Sequence, residues 1–173
     1  MPPRLTVKVD RLNIVIGDIR KIAANRVLVG IPSEKTARRG EKGFDEQGLI
    51  NNAALGFIHE NGSAAQNIPE RPFLIPGVRG IQDDIAKRFE AFAKARLAGD
   101  AAGAEKQLHI IGLMGQNAVR AKITDGPFTA LSERTLAARR ARGRTGTKPL
   151  IDTGQLRNSV SYVVTGISVN ATA

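Results

Sequence analysis

The residues whose types could do chemistry fall in two short runs. His59-Glu60 opens the pattern HExxH, in which two histidines one helical turn apart hold zinc and the glutamate activates a water. Ser63 stands where the second histidine would be, so the zinc set is incomplete. Read for structure instead, Glu60 pairs with a cation, Arg71 being the candidate, and His59 is a packed or interfacial side chain. Asp152-Thr153-Gly154 spells the triplet of an aspartic protease. That chemistry needs two carboxylates sharing a proton across a symmetric pair, with an apolar strand before each aspartate. Residues 149–151 are too few for such a strand, and Gln155-Leu156-Arg157 reads as a helical turn. A turn or capping role accounts for the triplet, because Asp and Thr side chains bond backbone donors a few residues on. The sequence has no phosphate-cradling glycine loop, nucleophile elbow or metal cluster, so no enzymatic activity and no cofactor is expected.

These runs must be positioned by the elements around them. Residues 49–60 carry Leu49, Ala53, Phe57 and Glu60 at helical spacing, and Gly62 is placed to end that helix;. Pro69, Pro72 and Pro76 then each remove a backbone donor and push the preceding residue toward extended geometry;. They predict a stiff, extended arm over residues 66–78, with Phe73 and Leu74 as apolar anchors and Arg71 as its charge.

Upstream, Leu5, Val7 and Val9 alternate with polar residues and predict a strand, a short helix is expected over 18–24, and the β-branched run 26–31 predicts a second strand stopped by Pro32;. Leu12, Ile14, Ile16 and Ile19 settle into no single period. Downstream, Ile81, Ile85, Phe89 and Phe92 make one stripe of a helix over 80–97;. A second helix covers 101–123 and is broken by Asp125-Gly126-Pro127; its Gly112 and Gly115 suggest close packing against another backbone;. A third runs over 132–142, and strands are expected at 159–164 and 167–169. These elements compose one α+β domain over residues 1–173: a small antiparallel sheet packed against two or three helices, with long projecting loops at 33–48 and 138–148.

Composition narrows the classes further. An apolar content of 42% supports a modest core, and with no Trp and one Tyr that core rests on Ile, Leu, Val and Ala;. The absence of cysteine excludes disulfides and thiol nucleophiles;. No apolar run approaches the roughly 20 residues that span a bilayer, so a soluble product made in the cytoplasm and having no membrane partner is expected;. The formal charge of +10 raises the question of nucleic acid, since clustered cations bind phosphate through counterion release;. Much of the excess lies in residues 35–42, with Arg38 and Arg39, and in 134–148, with Arg139, Arg140, Arg142 and Arg144. Both segments read as solvated loops. Neither interleaves aromatics, so any such contact is phosphate attraction without base stacking;.

The run IHENGSAAQNIPERPFL, followed far downstream by KPLIDTGQLRNSVSYVV, resembles the tail-completion and virion-morphogenesis proteins of tailed bacteriophages, the neck or head–tail joining group. The match involves Ala54 and residues 58–62, 68–74 and 149–163, in that order. The resemblance implies a structural virion protein assembled in the host cytoplasm, whose copies form a ring, expected to be a hexamer. It would join the tail tube or its terminator to the head connector, and its lumen could touch DNA without sequence preference. Tail terminator or another minor tail protein is the alternative station, and non-specific DNA binding the alternative class. Candidate interface or structural residues are then His59, Glu60, Arg71, Phe73, Leu74, Asp152, Thr153 and Arg157.

Overall fold

The longest element is a helix of 25 residues, and the rest of the chain is laid around it. The structure, a computed structural model, describes residues 12–32 and 50–166. In chain order the elements are α1 (Leu12–Ala24), β1 (Arg26–Gly30), α2 (Asn52–Asn61), a single 3-10 turn (Ala64–Gln66), α3 (Leu74–Arg79), α4 (Gln82–Leu97), α5 (Ala101–Asp125), α6 (Glu133–Ala141), α7 (Gln155–Ser159) and β2 (Ser161–Thr165). The strands at 5–9 and 167–169 and the loop at 33–48, with Arg38 and Arg39, lie outside the described residues.

The central helix α5 starts where Asp100 accepts a hydrogen bond from the Gly103 N–H at 2.8 Å, satisfying one of the free donors of its first turn;. It buries Ala104, Leu108, Ile111, Gly112, Gly115, Val119 and Ile123, one face along its whole length;. That face serves two clusters. Near its start, Ala104, Leu108 and Ile111 pack with Phe92 of α4, joined by Ile22, Val27, Ile85, Ala95 and Val164. Near its end, Val119 and Ile123 pack with Phe73, Leu150, Leu156 and Val160. Because α4 and α5 are joined through 98–100 alone, they fold back on one another as a helical hairpin;.

The two strands form one antiparallel pair, in register Arg26↔Thr165, Leu28↔Val163 and Gly30↔Ser161. Alternation sends Val27, Val29, Tyr162 and Val164 toward α5 and leaves Leu28 and Val163, opposite one another, on the outer face;. This approach accounts for two glycines of α5. A Cβ on Gly112 would meet the Tyr162 ring at 2.1 Å, and one on Gly115 would meet Val29 Cγ2 at 2.7 Å. The close contact is therefore with side chains of the sheet and not with another backbone.

The expected α+β architecture is overturned: among the described residues there are seven α-helices and a single two-stranded sheet, so the domain is mostly helical. The strand at 26–30 was legible, but residues 12–24 are one helix and supply no additional strand. The extended arm is also shorter than the prolines suggest. Backbone from Arg71 to Phe73 is extended or irregular, and α3 then begins at Leu74 with Pro76 inside its first turn. A proline is tolerated there because the first N–H groups of a helix have no intrahelical acceptor to lose. The small helix crosses α5 closely, a Cβ at Gly77 falling 2.9 Å from Val119 Cα.

Candidate functional site

The two runs His59-Glu60 and Asp152-Thr153-Gly154 are brought to one cleft, Glu60 binding backbone donors and Asp152 two arginine side chains. α2 ends at Gly62, and the short bridge Ser63↔Ile68 turns the chain back on itself. The returning strand is then held to the helix it left, the Arg71 N–H donating to the His59 carbonyl at 2.7 Å. Glu60 does not pair with Arg71. Its carboxylate accepts three backbone N–H groups: Oε2 from Phe73 at 2.7 Å and Leu74 at 2.8 Å, and Oε1 from Ile75 at 3.0 Å. These are the free donors at the start of α3, so Glu60 acts as the cap of a helix that begins 14 residues later in the chain;.

Arg71 and Phe73, read as the exposed charge and anchor of a projecting arm, are buried, at 5% and 2% exposure. Arg71 donates from Nε to the Thr129 carbonyl at 2.9 Å and from Nη2 to the Ala130 carbonyl at 3.1 Å, tying the arm to the segment between α5 and α6. Burial, with the Arg139 guanidinium nearby, lowers the Arg71 pKa below its ordinary value;. Phe73 fills the cluster with Val119, Ile123 and Leu156, and Leu74 packs half-buried against the same cluster. The arm is therefore a structural strap.

The loop expected over 138–148 is helix up to Ala141, and the exposed loop that follows is tied back to the domain. Helix α6 is started by Ser132, whose Oγ accepts the Thr135 N–H. Arg139 points inward at 6% exposure and donates to the Gly146 carbonyl at 2.9 Å and the Lys148 carbonyl at 3.0 Å. Its Nε lies 3.4 Å from Asp152 Oδ1, an ion pair rather than an aligned hydrogen bond, and Arg144 donates to Asp152 Oδ2. Asp152 thus clamps two arginines and closes the segment on itself. Thr153 Oγ1 accepts the Gln155 N–H at 3.4 Å, in the turn that launches α7. Arg140 is exposed and 3.7 Å from Glu133, Arg142 is exposed and bonds the Ala138 carbonyl, and Arg157 is exposed on α7.

Between these parts lies an open cleft of about 200 Å³, lined among others by Leu55, His59, Thr135, Arg139, Arg142 and Asp152. The carboxylate that lines it, Asp152, is committed to two guanidinium groups, and Glu60, beside His59 in the chain, to three backbone donors. Removing the Asp152 carboxylate would leave Arg139 buried without its counter-charge. Asp152→Ala is expected to lower stability by about 2 kcal/mol, discounted from the roughly 3–5 kcal/mol of a fully buried pair because the Asp152 side chain is 27% exposed;. Urea unfolding monitored by circular dichroism checks it, and Asp152→Asn, which keeps one acceptor oxygen for the two arginines, should lose somewhat less;.

What fold and site define is a small helical domain organised on one long helix, with its motif residues used as internal ties. Comparison with known proteins adds little to that class. No family model matches the chain, and no solved structure matches it. A stretch of 46 residues is 39% identical to an uncharacterized protein of Methanocaldococcus jannaschii, over 27% of this chain. The chain covers 34% of that protein's length.

Sequence reasoning missed three features. The helical start at Leu74 was hidden by Pro76, and the inward turn of Arg139 by the density of charge around it. The outward-facing stripe of α1 was hidden because residues from both of its faces are apolar.

Proposed function

We propose that this chain is a structural virion protein of a tailed phage, a neck or tail-completion component whose copies form a ring joining tail to connector. The observation that carries the reading is the way the two resembling stretches interlock. Residues 58–62, 68–74 and 149–163 are far apart in sequence, yet Phe73 shares a core with Leu150, Leu156 and Val160, and Glu60 and Asp152 serve as ties within that unit. Residue types that suggested a catalytic site hold a shape, which is what an assembly protein requires of them.

A second feature supports it. Large apolar side chains stand in solvent at Leu12, Ile14, Ile19, Leu28, Ile50, Phe57 and Ile75, each more than half exposed. Apolar side chains grouped on one surface mark contact sites, and Leu12 and Ile19 share one face of α1;. The rival DNA-binding reading loses ground, because Arg139 and Arg144 of the basic segment are consumed by Asp152 and by carbonyl groups. No helix among the described residues is long and apolar enough to cross a membrane. The test is negative-stain imaging of purified chain mixed with isolated tail tubes. New ring density capping tube ends is expected, and tubes left bare at saturating protein would refute the station.

A further inference from the structure

The apolar stripe of α1 faces away from the protein. At about 100° per residue, Leu12, Val15, Ile16, Ile19 and Ala23 share one side of the helix, the i, i+3, i+4, i+7 spacing of a face made for packing;. In the structure that side is open: Leu12 is 63% exposed, Val15 43% and Ile19 53%, and no residue of α1 is buried. The side turned inward carries Asp18, 3.9 Å from Arg96 Nε, and Ile22, which packs against the cluster of Phe92 and Leu108. Leu28 and Val163 add two further apolar side chains on the outer face of the adjoining sheet.

A second apolar surface lies at the other end of α5. Phe57 is 70% exposed one helical turn before Glu60, and Ile75, 57% exposed, gives its N–H to the same Glu60 carboxylate. Ile50 precedes α2 at 52% exposure. α2 and α3 are joined to the cluster around Val119 and Ile123, whereas α1 is joined to the one around Ala104 and Leu108. At 1.5 Å per residue, Leu108 and Val119 are about 16 Å apart along the axis, so the two surfaces adjoin different halves of α5;.

The charges of the two ends are unlike. Arg20 and Arg26 are exposed at the first, where Lys21 is paired with Asp18, whereas at the second Glu70 is exposed, the Glu60 carboxylate is taken by α3 and Arg71 is buried. Within residues 50–78 no cation is exposed until Arg79 follows them. A pairing of α1 with α1 of another copy would set the exposed Arg20 and the neighbouring Arg26 against themselves. We infer that the outer face of α1 docks on the Phe57–Ile75 surface of a second copy of this chain, head to tail. Contacts between two different surfaces do not stop at a pair: they propagate and, where the rotation allows, close into a ring. The inference rests on the ring reading proposed above and specifies which surfaces make the ring.

The chain has no cysteine, so introduced thiols report contacts without interference. Ile19→Cys and Phe57→Cys chains, mixed and oxidised, are expected to form a disulfide between copies at least ten times faster than either variant alone, and the double variant to give a ladder of linked copies. Ile19→Glu, at a site more than half exposed, is expected to weaken self-association at least tenfold while the melting temperature of the monomer stays unchanged. Equally fast linking of Ile19→Cys to itself would overturn the inference in favour of an α1-to-α1 pair. Oligomers that form without a link between positions 19 and 57 would overturn the surfaces but leave the ring reading standing. A chain that stays single at every concentration and on tail tubes would overturn both.

Discussion

Replacing Phe73 with alanine is expected to lower the unfolding free energy by about 4 kcal/mol, the range for large-to-small aromatic substitutions in packed cores. The ring is 2% exposed, and the surrounding Val119, Ile123, Leu150, Leu156 and Val160 come from α5, α7 and the residues just before and after α7. Those elements are held apart by ties of their own. Arg120 Nη2 donates to the Val160 carbonyl at 2.8 Å, and Gly77 brings α3 directly onto α5. A cavity so framed collapses poorly, which keeps the loss off the bottom of the range. Chemical denaturation measures it. Below its melting transition the Phe73→Ala chain should still self-associate, because the side chain is in the core and reaches no neighbour. Loss of association in fully folded Phe73→Ala chain would mean that the strap itself is the contact.

The second large effect is expected at Glu60. Glu60→Ala removes the acceptor of three backbone N–H groups at the start of α3, and a donor left without a partner away from water loses its full desolvation compensation;. Treating the three bonds as coupled, and the site as partly open to solvent, gives about 3 kcal/mol. For a chain of this size that corresponds to a fall in melting temperature of about 6–12 °C. Glu60→Gln keeps one carbonyl oxygen, which can accept from Phe73 and Leu74, but presents an amide donor to the Ile75 N–H, so roughly half the loss is expected;. If Glu60→Gln and Glu60→Ala were both silent in thermal melts, the cap would contribute nothing and α3 would be held by packing alone.

Much of the helical content was readable from sequence. α4 and α5 carry one-sided apolar stripes, and their ends are marked by Gly99 and by Asp125-Gly126-Pro127, so their extent was predicted to within a few residues. β1 was visible because Val27, Leu28 and Val29 stand together at its centre and Pro32 follows. The balance of helix and sheet was misjudged: within the described residues one pair of strands forms and the layer covering it is helical, while the alternating run at 5–9 lies outside them.

The site was legible in its parts but not in its wiring. Glu60 was expected to meet a cation, since carboxylate and guanidinium are the obvious pair; the structure spends both on backbone groups instead, Glu60 on donors at the start of α3 and Arg71 on carbonyls after α5. Such ties join residues 13 to 59 positions apart and leave no periodic trace. Arg139 shows the same limit. Its type and neighbours announce a surface cation, and only the carbonyls of Gly146 and Lys148, with Asp152 beyond them, make an interior place for it;.

The central claim is that this chain is an assembling structural component, and the most direct measurement is its mass in solution. Multi-angle light scattering across a concentration series, repeated with isolated tail tubes, reads it without assumptions about shape. The account predicts a mass that rises from that of one chain to a closed multiple, at high concentration or on tube ends. A mass fixed at one chain under every condition, tubes included, would contradict it.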